Sequence, residues 1–258
     1  MMNITSYSRE KIENGLKAAY QDASQRENNI RLIFSPKQIH DDNFEEVCNM
    51  YSKLGRDDYD SVIVIESHAG NADKKLPMPS FKQLETSLGT VLANDKLRND
   101  FADEDDDFFI DDVAFDENVS IYNQLMMLQS TLNNFSVLSI QITDESSFIV
   151  KELAFAVEEI LASRNALIVC CCEMNQRSSD ELNRVLEMLQ SDNISGVLNY
   201  LNSGDSTVDG VGTFVAGLLI GKKWNLSFQF PLLNDESRSV KSPLIGTASL
   251  QRESIFHG

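Results

Sequence analysis

Three consecutive cysteines, Cys170, Cys171 and Cys172, form the densest block of reactive side chains in the chain. A thiolate is a nucleophile and a soft-metal ligand, so the block invites a redox or metal reading. Its spacing opposes one. Neighbouring residues of a strand point to opposite faces, and the C-x-x-C spacing of a zinc knuckle is missing. With Cys48 as the fourth cysteine, reduced, strand-borne thiols in a cytoplasmic protein are the expectation. The histidines are His40, His68 and His257, scant material for a Ser-His-Asp or Cys-His device. Neither a G-x-S-x-G elbow nor a P-loop occurs in the sequence, as those motifs are defined. Asp103, Asp105 and Asp107 imitate the start of a calcium loop, but Phe108 replaces its turn glycine and Ala114 its closing Glu. A solvated acidic loop over Asp100–Glu117 is therefore expected, at most a docking element for a basic partner. Gly210 and Gly212 open a helix whose N-terminal amides suit an anion, although Asp209 puts a negative charge at the mouth.

The elements that must position such residues follow from hydrophobic periodicity. Ile12, Leu16, Ala19 and Tyr20 fall on one face of a first helix. Apolar runs at Ile30–Ser35, Ser61–Glu66, Ser136–Thr143 and Ala166–Cys172 read as buried strands. Between the first two, Asp42 and Glu45 resemble a capping box before the stripe Phe44, Val47, Cys48, Tyr51 and Leu54. A helix over Phe148–Ala162 and another capped by Ser178 and Glu181 follow the later strands. Asp209–Gly221 suits a small-residue-rich helix, and Leu226–Phe230 and Leu244–Leu250 suit closing strands. Continuous apolar strands alternating with amphipathic helices specify an α/β fold: a mostly parallel central sheet with helices on both faces. No linker composition or repeat divides the 258 residues, so residues 1–258 are expected to form a single domain.

The net charge is -18, from 40 acidic and 22 basic residues. Nucleic acid is held by clustered Lys and Arg, so this surface repels it, and anionic membrane likewise. Apolar runs fall short of the ~20 residues of a membrane span, and no early charged-then-apolar segment reads as a signal peptide.

Seven segments in order resemble the Memo family, the AmmeMemoRadiSam system protein B group, whose fold is related to that of the LigB-type extradiol dioxygenases. Ala114 to Gln129 is similar to A-H-x-x-E-H-S-I-E-V-Q-L-P-F-L-Q. Thr86-Ser87-Leu88-Gly89, with Val91 and Asn94, resembles T-P-L-G-x-V-x-V-D. Ser67-His68 resembles the end of P-S-H, and Ser35-Pro36-Lys37 resembles A-P-H. Cys171 to Gln176 resembles S-S-D-L-S-H, Asp209 to Phe214 resembles C-G-x-G-P-I, and Leu244 to Ala248 resembles V-V-G-Y-A. A rival placement sets Asn202-Ser203-Gly204-Asp205 on a late N-S-G-D.

The resemblance implies a pocket of His, Cys and acidic donors at strand ends, where open α/β sheets hold ligands. Most of those donors are replaced. Lys37, Phe115, Val119 and Gln176 stand at family histidines, Asn118 and Tyr122 at glutamates, and Asp209 at the cysteine. His68 is retained, and Glu173 stands for an aspartate. A catalytic metal site needs about three protein ligands, and an ammonium repels cations. The implied cleft is Lys37, His68, Glu173, Gln176 and Asp209, with no metal or other cofactor. Lys37 is expected to pair with Asp209 or Glu173, and Phe115, Val119 and Tyr122 to fill the former cleft. The functional expectation is a divergent, non-catalytic Memo-like binding or accessory protein with an unidentified protein or small-molecule partner. The alternative is an enzyme with altered chemistry in the same cleft. It would be metal-independent acid–base, with Lys37 deprotonated as a base, or dioxygenase-like with a residual metal on His68, Glu173 and Asp209.

Overall fold

The computed structural model describes residues 4–22, 29–68, 75–115, 119–174, 178–231 and 243–250. Chain order begins with α1 (Arg9–Asp22), β1 (Ile30–Ser35), α2 (Phe44–Tyr51) and β2 (Ser61–Ser67), then the short β3 (Leu76–Met78), β4 (Gln83–Thr86) and β5 (Gly89–Ala93). Next come α3 (Asp95–Glu104), β6 (Phe108–Ile110), α4 (Ile121–Thr131), β7 (Ser136–Ile142), α5 (Ser147–Leu161) and β8 (Ala166–Cys171). The chain continues through β9 (Glu173–Met174), α6 (Ser179–Gln190), α7 (Ile194–Asn202), β10 (Val208–Asp209), α8 (Val211–Lys223), β11 (Leu226–Gln229) and β12 (Gly246–Leu250).

Eight strands form one sheet in the order β11-β12-β1-β8-β2-β7-β5-β4. Its centre, β1-β8-β2-β7-β5, is parallel throughout. Antiparallel pairs close both edges, β12 against β1 and β11 on one side and β4 against β5 on the other. The expected mostly parallel α/β architecture is what forms. Strands buried on both faces explain their unbroken apolar runs.

Side-chain alternation divides the core in two. Ile63 and Ile65 of β2 join Ile168, Cys170 and Cys172 beneath α5 and α8. Val62 and Val64 join Leu167, Val169 and Cys171 beneath α2 and α4. The cysteine triplet thus straddles the sheet, and all four cysteines are free and buried. Burial pushes the Cys48 thiol up to about 12 and the other three higher still, which removes the thiolates that reactivity requires.

Three local expectations need correction. Residues from Asp100 to Ile110 are not a solvated loop: they complete α3 and form β6, because Phe101 and Phe108 are buried in the core with their rings 5.2 Å apart, and only Asp111 to Phe115 leave as an irregular segment. The carboxylates turn outward around those anchors. Asp100 binds Arg164 and Asp107 binds Lys75. Asp116 and Glu117 lie outside the described residues. Asp42 does not cap α2; Asn43 holds that position and spends its side chain on the preceding loop, accepting from His40 N and donating to Gln38 O. Finally, α8 starts at Val211 rather than Asp209, because β10 pairs with β9 just before it.

Among the described residues, no helix is long and apolar enough to cross a membrane.

Candidate functional site

The parallel strands β1, β2 and β8 end side by side, and the turns leaving them supply the site. Past β1, Pro36 leads to Lys37. Past β2 stands His68, whose N–H donates to Ile142 O of β7 at 3.0 Å. Past β8, Cys172 N donates to Ser35 O at 3.0 Å, and the chain continues as β9. The antiparallel pair β9–β10 sets Glu173 in register with Asp209. Gly210 then takes a left-handed conformation, φ 81°, and the chain turns into α8.

This geometry joins Lys37 to Asp209, sets Glu173 in register with Asp209, and leaves His68 at the end of the neighbouring strand. Lys37 Nζ lies 2.8 Å from Asp209 Oδ1 and donates to Ser67 O at 3.2 Å. Glu173 Oε1 accepts from Gln38 N at 2.9 Å, so it braces the loop that carries Lys37. His68 follows Ser67 directly, beside the carbonyl that Lys37 holds. Gln176 falls outside the described residues, as does Asn118. Val119 is buried, while Phe115 and Tyr122 are partly buried against the same core, with Phe115 edge-on to Phe81 at 5.9 Å. The rival segment Asn202–Asp205 ends α7, and it is Asp209 that reaches Lys37.

Burial by itself would lower the Lys37 pKa. The Asp209 hydrogen bond, aided by Glu66 and Glu173, outweighs that and holds the ammonium above its ordinary value. The surrounding carboxylates thus favour the protonated form of Lys37, which runs against its use as a free base.

Five residues contribute in roles that the sequence did not assign to them. Glu66, the last acid of an otherwise apolar strand, is 3% exposed. It accepts from Ser120 N at 2.7 Å and Ser120 Oγ at 2.5 Å. Burial raises its pKa against those bonds and against attraction from Lys37 and His68. A charged residue closing a buried strand was a legible signal of this role. Ser67 and Thr213 join β2 to α8 through their hydroxyls at 2.9 Å, and Thr213 N donates to Ser67 Oγ at 3.1 Å. Glu145 Oε1 accepts from Gly212 N at 2.8 Å, so a carboxylate of the chain already occupies the helix N-terminus read as an anion site. Glu181 anchors the segment leading into Asp209, accepting from Tyr200, Ser206 and Thr207. Distant in sequence from what they contact, the other four carried no local signal of these roles.

The Memo-like protein family model matches residues 5–249. The chain belongs to the Memo-like family. It is 26% identical over 163 residues to a MEMO1 family protein of Nitrosopumilus maritimus, a match covering 62% of this chain and 59% of that one. It is 28% identical over 149 residues to a MEMO1 family protein of Thermotoga neapolitana, covering 53% and 52%. The matched part thus spans little more than half the length of these relatives. The crystal structure of the uncharacterized protein JW3007 from Escherichia coli K12 superposes with a TM-score of 0.52 over 85% of this chain and 99% of that one. At 11% identity this likeness speaks for the fold alone.

The Memo-like resemblance implies a metal held by donors at these strand ends, and among the described residues the carboxylates there already have partners of their own. The Asp209 carboxylate that would ligate is engaged by an ammonium, Glu173 by a backbone amide, and Glu66 by Ser120. Among the described residues, no group of three or more His, Cys, Asp and Glu side chains is disposed to hold a metal ion.

Proposed function

We propose that this Memo-like chain is a binding or accessory protein. Its strand-end cleft recognises a protein or small molecule without a metal and without catalysing a reaction. One observation carries the reading: the Lys37 ammonium sits 2.8 Å from Asp209, a cation of the protein's own where metal donors would otherwise converge. A charge-assisted bond of this kind fixes the two loops much as a shared ion does. The reading extends to residues 1–258 as one domain in the cytoplasm, supported by the single through-running sheet and four free buried thiols. It excludes nucleic acid and anionic membrane as partners on the strength of the -18 charge.

The test is elemental analysis of the protein as purified and after incubation with Fe(II), Cu(I) or Zn(II). Bound metal is expected well below one per chain. Stoichiometric metal that disappears in His68→Ala or Asp209→Ala protein would overturn the proposal.

A second reading, an enzyme with altered acid–base chemistry, is favoured by Glu66. A buried carboxyl with a raised pKa beside a histidine at a cleft is the kind of group that catalysis recruits. Turnover of a small molecule that Glu66→Gln abolishes in a folded protein would establish that reading instead.

A further inference from the structure

Helix α5 buries Ile149, Val150, Leu153, Ala154, Ala156, Val157 and Leu161. Its opposite face is unusual in carrying two large exposed aromatics, Phe148 at 59% and Phe155 at 56%. Lys151, Glu159 and Ala162 are exposed on the same stripe. Steps of three and four residues make the stripe a straight seam, the spacing by which one helix packs along another.

The charges on that seam are ordered about Phe155. An antiparallel copy of α5 crossing at Phe155 sets Lys151 against Glu159 of the second copy, and by symmetry Glu159 against Lys151. It also lays Phe148 over Ala162. A parallel copy would oppose Lys151 to Lys151 and Glu159 to Glu159. A two-fold axis perpendicular to the helix, the commonest symmetry of homodimers, therefore yields the attractive register.

The wider electrostatics agree. Two copies of a chain carrying -18 repel over most of their surfaces. Around this seam, however, the excess of acids is small. Lys223 Nζ lies 4.0 Å from the Phe155 ring centre and pairs with Glu158. Lys75 lies 5.9 Å from the Phe148 ring. With Lys151 these make three cations facing four acids, Glu152, Glu158, Glu159 and the Asp107 that pairs with Lys75. A second copy is thus the occupant that both the seam pattern and the local charge fit.

We propose that the outer face of α5 is the interface of a two-fold, antiparallel homodimer centred on Phe155. This is independent of what the strand-end cleft binds.

Analytical ultracentrifugation of the full chain at physiological salt tests it. The wild type is expected to show a monomer–dimer equilibrium in the micromolar range. Phe155→Glu should be monomeric with unchanged circular dichroism and melting temperature, since the residue is exposed. Lys151→Glu and Glu159→Lys should each weaken the dimer about tenfold, because each creates two like-charge pairs in place of two attractive ones. The double swap should return the affinity to near the wild-type value. A wild type that stays monomeric overturns the proposal, leaving the seam to a different protein. So does a dimer indifferent to Phe155→Glu, or single swaps without effect, or a double swap that does not restore.

Discussion

Glu181 shows how a single carboxylate can hold a functional loop in place. It accepts from Tyr200 Oη at 2.7 Å, from Thr207 N at 3.0 Å and Thr207 Oγ1 at 2.6 Å, and from Ser206 Oγ at 3.1 Å. Burial pulls its pKa up, but these bonds outweigh burial and set it below the ordinary value. A carboxyl whose folded pKa is depressed contributes stability that is fully present above its unfolded pKa and is lost as pH falls through the folded one. Glu181→Ala should therefore cost about 2–4 kcal/mol at neutral pH. The difference from wild type should shrink below the unfolded glutamate value of about 4.3. Urea unfolding at several pH values reads both effects, and a pH-independent difference would remove the carboxylate from the account. Gln141 presents the opposite case. It lies fully buried beside Glu66 in the sheet register, with both amide atoms unpartnered. A buried polar group without a partner costs about 1–3 kcal/mol. The near-isosteric Gln141→Met should accordingly raise the melting temperature, and a lower one would show that the amide is satisfied. Residues of this kind set the limit of sequence reading. Motif placement leaves Lys37 to pair with either Asp209 or Glu173, and only the fold selects Asp209. Glu181 was read only as half of a capping box. Ser178 does cap Glu181 N at 3.1 Å, but the acid side chain turns to a loop some 25 residues on, a contact that no local pattern announces.

At the scale of elements, the connection from β10 into α8 is the most constrained join near the cleft. Gly210 combines φ 81° with tight surroundings: a Cβ there would lie 3.3 Å from Lys37 Cε and 3.4 Å from Cys171 O. Gly204, at the end of α7, has φ 71° but nothing within 4 Å. Left-handed backbone costs an ordinary residue roughly 1–2 kcal/mol. Gly204→Ala should show that loss alone, whereas Gly210→Ala should lose more, because Lys37 must also shift. Comparison of the two melting temperatures checks this, and equal losses would mean that the cleft accommodates the methyl freely. The four central strands and the helices α5 and α6 were legible to within a residue or two, since unbroken apolar runs and 3.6-residue stripes report burial directly. The error at Asp100–Ile110 arose because carboxylates dominate that composition while two phenylalanines, Phe101 and Phe108, decide its structure. Counting charge there concealed the spacing of the anchors.

Across the whole molecule, the charge of -18 acts on stability as well as on partners. Self-repulsion opposes the compact state, and salt screens it. Raising sodium chloride from low to moderate concentration should stabilise the fold by about 1 kcal/mol, a few degrees in melting temperature for a chain of this size. A melting temperature that is flat or falls with salt would show that the acids are already neutralised by local pairs such as Asp100–Arg164 and Asp107–Lys75. What the amino-acid order determined unaided was the α/β class, the parallel strands and the Memo-like kinship, because each rests on short-range pattern repeated along the chain. Tertiary structure alone decided which charges meet. The ammonium of Lys37 reaches Asp209 across 172 positions, Glu66 takes its bonds from Ser120, and Glu145 fills the helix terminus that glycine spacing had left open to an anion. Such meetings depend on strand order, and strand order is fixed by how the sheet packs as a whole rather than by any stretch of sequence.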